Sequence, residues 1–288
     1  MTDGEKKGTL YLCATPIGNL EDMTYRAVRV LAEVPLIAAE DTRHTRELLT
    51  HFDLHTRLTS YHEHNKFTKG PQLIEHLLAG NDLAVVSDAG LPGICDPGSH
   101  LAALAIAAGV RVTPLPGANA GLSALICSGL DTTRFSFVGF LPRTAKKRRE
   151  VLEEVKDRRD TLIFYEAPHH LRETLKGLRE ALGGGRRAAL GRELTKKFEE
   201  FTRGTLEELG SYYEEHAPRG EFVLVVEGAD ETAEEKTETP QDAFSLYTRA
   251  LADGQPKKEA MRKAAQALGM SRREVYQIVL AHEKKEQA

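Results

Sequence analysis

Short apolar runs alternate with amphipathic stretches along residues 9–127. TLYLCAT (9–15), PLIAAE (35–40), RLTSYH (57–62), DLAVVS (82–87) and VRVTPL (110–115) read as strands. Between them, DMTYRAVRVLAEV (22–34), TRHTRELLTHF (42–52) and residues 68–79 and 97–108 carry the spacing of helices with one apolar face. Strand–helix alternation of this kind predicts a largely parallel sheet. LAVVS is apolar almost throughout, as in strands covered on both faces.

A second set begins near Asp131, where FSFVGF, TLIFYEA, RRAALGREL and EFVLVVEG read as strands. Helices are expected at 142–157, 168–182 and 205–216. The β-segments cluster less regularly here, which predicts a mixed sheet. Residues 229–241, ADETAEEKTETPQ, are acidic and nearly free of apolar groups, the signature of a linker. Beyond it, two helices, the second of them basic, are separated by Leu268-Gly269-Met270-Ser271, with Gly269 suited to a helix end and Ser271 to an N-cap. That pattern resembles a helix-turn-helix, although any helical hairpin docked on a larger body shares it. The expected organisation is an N-terminal α/β domain (8–118), a C-terminal α/β domain (119–230), an acidic linker (231–241) and a helical extension (242–288).

Bulk composition is that of a globular chain, with 41% hydrophobic and 28% charged residues among 288. No apolar run approaches the roughly 20 residues that span a bilayer, and MTDGEKKGTL lacks a signal-peptide core. Cys13, Cys95 and Cys127 are odd in number and far apart; they are expected to be reduced, buried and cytoplasmic. A net charge of −4 conceals basic segments. Arg143–Arg159 and Pro256–Ala288 each hold eight Lys/Arg against four Asp/Glu. Solvated helix faces or a polyanionic partner would both explain them.

Several chemistries lack their signatures. No G-x-x-x-x-G-K-[ST] loop is present, and no G-x-G-x-x-G follows a strand. PGANAG (116–121) has Asn119 where a nucleophile elbow needs Ser. His51 and His55 lie four apart without the Glu of a metalloprotease helix, and no metal site is expected. What remains is a series of strand-end loops: ATPIGNL, AAEDTRHT, SDAGLPGICDPG, PLPGANA, FYEAPHH, GRELTKKFEE and APRGEF. Loops at the carboxyl ends of open α/β sheets line a ligand crevice, and Gly18, Gly90, Gly93 and Gly117 allow main chain to approach a ligand closely.

Together, ATPIGNLEDMTYRA, AAEDTRHT, SDAGLPGICDPG, LPGANA, FYEAPHH and GRELTKKFEE resemble the tetrapyrrole (corrin/porphyrin) methylase family, over nearly the whole chain. The resemblance implies two α/β domains of the non-Rossmann methyltransferase type, with S-adenosyl-L-methionine in the cleft between them. Its nearest branch is the one that methylates the ribose 2′-oxygen of a decoding-site cytidine in 16S ribosomal RNA. That branch implies the small ribosomal subunit as partner and a homodimeric enzyme. Matched to the family pattern, Pro16 and Gly18 fall in the first-strand loop, and Asp88, Ala89, Gly90 and Leu91 in the loop that reads Gly-Asp-Pro in corrin enzymes. Here Ser87-Asp88-Ala89 replaces that triplet. Asn119 and Ala120 stand where the family often has a Ser pair. Tyr165, Leu194, Pro218 and Gly220 match regions that flank the adenine or methionine portions. A corrin or porphyrin methylase, or a cofactor-sensing RNA-binding module without catalysis, are the competing readings.

Methyl transfer to a ribose hydroxyl needs alignment first and a proton acceptor second. Glu40 and Asp41 are the candidate acceptors, with Arg43 placed to hold a flanking phosphate; equally, Asp41 or Thr42 can cap the helix that follows. His62, Glu63 and Asn65 are second-rank candidates. Lys146, Lys147, Arg148, Arg149, Arg272 and Arg273 are expected to meet RNA phosphates. Arg192, Glu193, Lys196 and Lys197 form either the RNA entrance or an ion-pair network at the strand end.

Overall fold

A computed structural model of the chain describes residues 7–229, 240–252, 254–268 and 270–286. The chain divides into two compact units, Met1–Gly228 and Ala229–Ala288.

The first unit opens with β1 (Thr9–Cys13), α1 (Tyr25–Glu33), β2 (Ile37–Ala39), α2 (Thr42–His51) and β3 (Leu58–Ser60). It continues through α3 (Lys66–Leu78), β4 (Leu83–Val86), α4 (Gly98–Ala107) and β5 (Arg111–Leu115). The strands lie in the order β3-β2-β4-β1-β5 and every pairing is parallel, as the alternation predicts. Period-two side chains supply a core on each face. Leu10, Ala38, Leu83 and Val85 pack into one cluster, and Cys13, Ile37, Ala39, Ala84 and Val86 into the other. Fully burying a Leu or Val side chain contributes about 1.5–3 kcal/mol, so this double cover holds the strand tips in place. The first helix starts three residues later than its apolar pattern suggests, because the Thr24 hydroxyl caps it by accepting the Ala27 N–H. Leu20–Asp22 forms a separate 3-10 turn.

After α5 (Ala120–Ser128) come β6 (Phe135–Phe140), α6 (Ala145–Val155), β7 (Thr161–Glu166), α7 (Leu171–Leu182) and β8 (Arg187–Arg192). Then follow β9 (Glu200–Thr205), α8 (Leu206–Glu215) and β10 (Phe222–Val226). The order is β6-β7-β10-β8-β9, with β6 parallel to β7 and the other pairs antiparallel, so the expected mixed sheet is present. It has one strand more than the apolar pattern shows. EFTRGT contains Phe201 as its only large apolar residue, and its edge position beside β8 needs no more.

Antiparallel β10 matters for function. Phe222 lies opposite both Glu166 at the end of β7 and Arg192 at the end of β8. The loop entering β10 therefore emerges at the edge where β6, β7 and β8 end.

Among the described residues the second unit has three helices, α9 (Pro240–Ala252), α10 (Lys257–Ala267) and α11 (Arg272–Glu286), where the sequence suggests two. Gly254, at φ +79°, and Pro256 separate the first pair. Tyr247, Ala260, Ala264, Val275 and Val279 form its core. Ser271 caps α11 as expected: its hydroxyl accepts the Glu274 N–H, and Glu274 accepts the Ser271 N–H. Gly269 and most of the expected acidic linker lie outside the described residues.

All three cysteines are free, but only Cys13 is buried; Cys95 and Cys127 are exposed, against expectation. Cys95 sits in a strand-end loop and Cys127 on α5. Among the described residues, no helix is long and apolar enough to cross a membrane.

Candidate active site

Neighbouring strands β1 and β4 end in loops that are stitched together. Thr15 and Gly90 exchange backbone hydrogen bonds of 2.9 and 3.1 Å, and the Thr15 hydroxyl donates to the Ser87 carbonyl at 3.1 Å. The β4 loop then turns repeatedly. Gly90 and Gly93 adopt φ of +78° and +94°, and Cys95 takes a left-handed φ of +66° despite its side chain. Asp96 organises the turn by accepting the N–H groups of Gly93 at 2.8 Å and Gly98 at 2.7 Å. A Gly-, Pro- and Asp-rich run after an apolar strand thus builds a tight, internally bonded loop at a strand tip.

That loop forms one wall of a cleft of about 440 Å³, within the size range of small-molecule sites. From the first sheet come Ile17, Glu40 and the β4 loop; from the second, Phe140, Tyr165, Glu166, Leu194 and the start of β10. The start of α5, Asn119 and Ala120, lies between them in sequence. The tips of both sheets therefore share one hollow.

Its lining is chemically lopsided. Glu40, Asp88, Asp96, Glu166 and Glu221 are its acidic members, and none of the lining residues is Lys, Arg or His. Opposing chemistry comes from Ile17, Ala120, Tyr165, Leu194 and Val223, which belong to one apolar cluster. Burial pushes the Glu40 carboxyl above its ordinary value, and the nearby charges of Asp88 and Asp96 add to this against an opposing Asp88 N–H bond. Burial likewise raises Asp96, despite backbone N–H groups that favour its charge. The Tyr165 hydroxyl, also raised by burial, accepts the Gly121 N–H at 3.1 Å and so ties β7 to the first turn of α5.

Glu40, Asp88, Ala89, Gly90, Leu91, Asn119, Ala120, Tyr165 and Leu194 all line the cleft. Asn119 also spends its side-chain oxygen on the Leu122 N–H as the cap of α5. Pro16, Gly18, Pro218 and Gly220 are not among the lining residues. Gly18 and Gly220 have another use. A Cβ on Gly18 would lie 2.4 Å from Lys196 Cγ, and one on Gly220 would lie 2.4 Å from Glu193 Cγ. Gly117 similarly gives room to Ala14.

Asp41 takes the helix-cap role rather than the cleft. It accepts the Arg43 N–H at 2.8 Å and binds the Arg43 guanidinium at 2.7 and 3.2 Å. Hydrogen bonds from Arg43 hold its carboxyl far below the usual aspartate range, which makes it a poor proton acceptor. Arg43 is correspondingly occupied. His62, Glu63 and Asn65 are also absent from the lining; Asn65 accepts the His62 N–H and Glu63 pairs with Lys66 at 2.6 Å.

Of the residues expected to meet RNA, Lys146, Lys147 and Arg149 are exposed on α6, and Arg272 and Arg273 at the start of α11. The others are engaged. Arg148 pairs with Glu173 at 3.1 Å, Arg192 with Glu200 at 2.8 Å, and Lys196 with Glu193 and Glu221 at 3.0 Å each. Among the described residues, no group of His, Cys, Asp and Glu is arranged to hold a metal ion.

Residues 9–210 match the model of the Tetrapyrrole (Corrin/Porphyrin) Methylases. The chain belongs to this family. Within it, the chain is 51% identical to "Ribosomal RNA small subunit methyltransferase I" of Halalkalibacterium halodurans, over 95% of each chain. Identity to the proteins of that name from Bacillus subtilis and Synechocystis is 50% and 47%, over 93% and 95% of this chain and 93% and 98% of theirs. Solved structures of the tetrapyrrole methylase fold are similar at lower identity. A diphthine synthase superposes with a TM-score of 0.57 at 15% identity, covering 77% of this chain and 90% of that one. A uroporphyrin-III-C-methyltransferase from Thermus thermophilus gives 0.53 at 21%, covering 76% and 94%.

Ile17, Asp96, Glu166 and Glu221 are among the lining residues that the motifs did not single out. Asp96 lies inside the quoted SDAGLPGICDPG and Glu166 inside FYEAPHH, so the loops were visible but not which side chains turn inward. Glu221 lies inside APRGEF, which leads into β10 instead of ending a strand and reaches the cleft only because β10 runs antiparallel.

Proposed function

We infer that this chain is an S-adenosylmethionine-dependent methyltransferase acting on ribosomal RNA of the small subunit. The carrying observation is the acidic cleft at the joined strand tips, in a chain about half identical over nearly its full length to methyltransferases of that name. The residues fit the cofactor. Its sulfonium and α-ammonium are cationic, and Glu40 and Asp88 are acidic members of a lining without Lys, Arg or His. Its adenine is flat and largely apolar, matching the Ile17, Leu194 and Val223 surface.

When bound, S-adenosylmethionine supplies an electrophilic methyl group. The main chain of Asp88, Ala89, Gly90 and Leu91 and the apolar wall of Leu194 and Tyr165 would hold it. The remaining work belongs to the protein. Orientation of the acceptor is worth roughly 7–11 kcal/mol, and a positioned base adds about 10²–10⁴-fold. Positioning is thus the larger effect, which explains a cleft with stiff, cross-bonded loops and no nucleophile–base pair. Glu40 is the proton acceptor in this reading. Its Oε2 receives the Asp88 N–H at 3.4 Å, leaving Oε1 to take up the proton of a ribose 2′-hydroxyl. The raised carboxyl makes it a better base than an ordinary glutamate.

The finer reading is a cytidine ribose 2′-oxygen in the decoding region of 16S ribosomal RNA, methylated in the cytoplasm by a homodimer. Exposed Leu122 and Ile126, four residues apart on α5, support a self-association face. Sedimentation at micromolar concentration tests that point. Activity is tested by incubating the chain with methyl-labelled cofactor and either isolated small subunits or a tetrapyrrole. Label in the RNA, resistant to alkaline cleavage at one ribose, is expected. Label in the tetrapyrrole, or in neither, overturns the reading.

A further inference from the structure

Lys196 sits at the junction of three loops that come from both sheets. Its stem lies so close to Gly18, in the loop after β1, that a Cβ there would approach Lys196 Cγ, Cδ and Cε to between 2.4 and 3.1 Å. Its ammonium is 3.0 Å from Glu193 Oε1, after β8, and 3.0 Å from Glu221 Oε2, just before β10. Glu193 Oε1 also accepts the Glu221 N–H at 2.9 Å. Burial alone would lower the Lys196 ammonium, but its bonds to Glu193 and Glu221 outweigh it and the net direction is upward.

Each of the three loops places a cleft residue beside this junction. Ile17 precedes Gly18, Leu194 lies between Glu193 and Lys196, and Glu221 is itself part of the lining. Glu193 and Thr195 both hold left-handed backbone, at φ +50° and +66°, on either side of Leu194. Such conformations in residues with a Cβ persist only where surrounding groups enforce them. Here the Lys196 bridge, the Glu221 N–H and the bond from the Thr195 N–H to Glu199 at 2.6 Å do so.

We propose that Lys196 is a positioning residue for the cofactor cleft, packing on the β1 loop and tying it to the second sheet through Glu193 and Glu221, and that it does not touch the RNA. This rests on the reading of the cleft as the S-adenosylmethionine site. Exposed ion pairs are weak, and this one is partly buried, so the expected effect is moderate. Lys196→Met keeps the stem against Gly18 and removes the charge; Lys196→Arg keeps both.

Calorimetric titration of the full chain with S-adenosylmethionine is the test, with small-subunit RNA titrated in parallel. Lys196→Met should weaken cofactor binding about 2–5-fold, Lys196→Arg should restore most of it, and the RNA affinity and its salt dependence should not move. Glu193→Gln, which weakens the other Lys196 bond at a residue outside the lining, should shift cofactor binding in the same direction, and it serves if Lys196→Met does not fold. Unchanged cofactor affinity in Lys196→Met, or a loss confined to RNA, overturns the proposal. Failure of the wild-type chain to bind S-adenosylmethionine overturns both it and the assignment of the cleft.

Discussion

Asp88 donates its N–H to Glu40 Oε2 at 3.4 Å, and its own carboxylate accepts the N–H of Asp41, the residue after Glu40, at 3.0 Å. The tips of adjacent strands β2 and β4 are thus clasped in both directions. The clasp keeps two carboxylates close together, an arrangement that favours function over stability.

Glu40→Gln separates the two. As a base, Glu40 must be ionised, so kcat/KM should rise with pH through a value above that of an ordinary glutamate. The variant should lose about 10²-fold or more in kcat, together with that acidic limb. Stability should move the other way. A carboxyl raised in the folded state binds its proton more tightly there, so stability falls as pH climbs from the unfolded value through the folded one. At neutral pH the variant should melt higher than the wild type, and the gap should close in acid. Melting curves and pH–rate profiles check both halves; wild-type kcat in Glu40→Gln removes the base assignment.

Gly98→Ala tests the loop after β4. An added Cβ would stand 2.7 Å from the Gly93 nitrogen and 2.8 Å from Asp96 Oδ1, inside the bonds that close the loop. Backbone cannot yield cheaply, so a loss of about 1–3 kcal/mol is expected, with cofactor affinity falling alongside it. Gly185→Ala, where a Cβ meets nothing within 4 Å, is the control and should melt like the wild type. Equal behaviour of the two variants by calorimetry and thermal melting would show that the loop does not need its Asp96 turn.

Both outcomes bear on what could be read from sequence. The parallel sheet was legible because Leu10, Leu83 and Val85 on one face and Cys13, Ala84 and Val86 on the other leave an unbroken apolar imprint. β9 left none, since an edge strand such as EFTRGT needs little burial. Loops were legible as loops, through Gly and Pro. The roles inside them were not: Asp41 and Glu40 are adjacent, yet one is committed to Arg43 and the other faces the cleft. That choice is made by rotamer and by the neighbouring strand tip, neither of which has a local sequence signature.

Tyr165→Phe removes the hydroxyl that accepts the Gly121 N–H at 3.1 Å. Asn119 already serves the Leu122 N–H, so the Gly121 donor would lose its partner. An unsatisfied donor costs about 1–3 kcal/mol where water cannot reach it. The melting temperature should drop by several degrees, and cofactor affinity should fall because Ala120, at the start of the same helix, loses its anchor to β7. A variant that melts and binds as the wild type does would show that water replaces the hydroxyl.

Charge reversal on α6 isolates the RNA. Lys146, Lys147 and Arg149 are exposed, whereas Arg148 is largely covered and held by Glu173. The triple variant Lys146→Glu, Lys147→Glu and Arg149→Glu therefore changes the field outside the protein while leaving that pair and the cleft intact. Cofactor affinity should be unaffected. RNA affinity should fall, and the slope of log affinity against log salt should become shallower by about 0.7 for each phosphate that is no longer neutralised. Arg148→Ala would affect RNA binding less and stability more, since it removes a largely covered stem. If the triple variant keeps both the affinity and the salt slope, this helix face is merely solvated and the polyanion must be met elsewhere, with Arg272 and Arg273 on α11 the next to reverse.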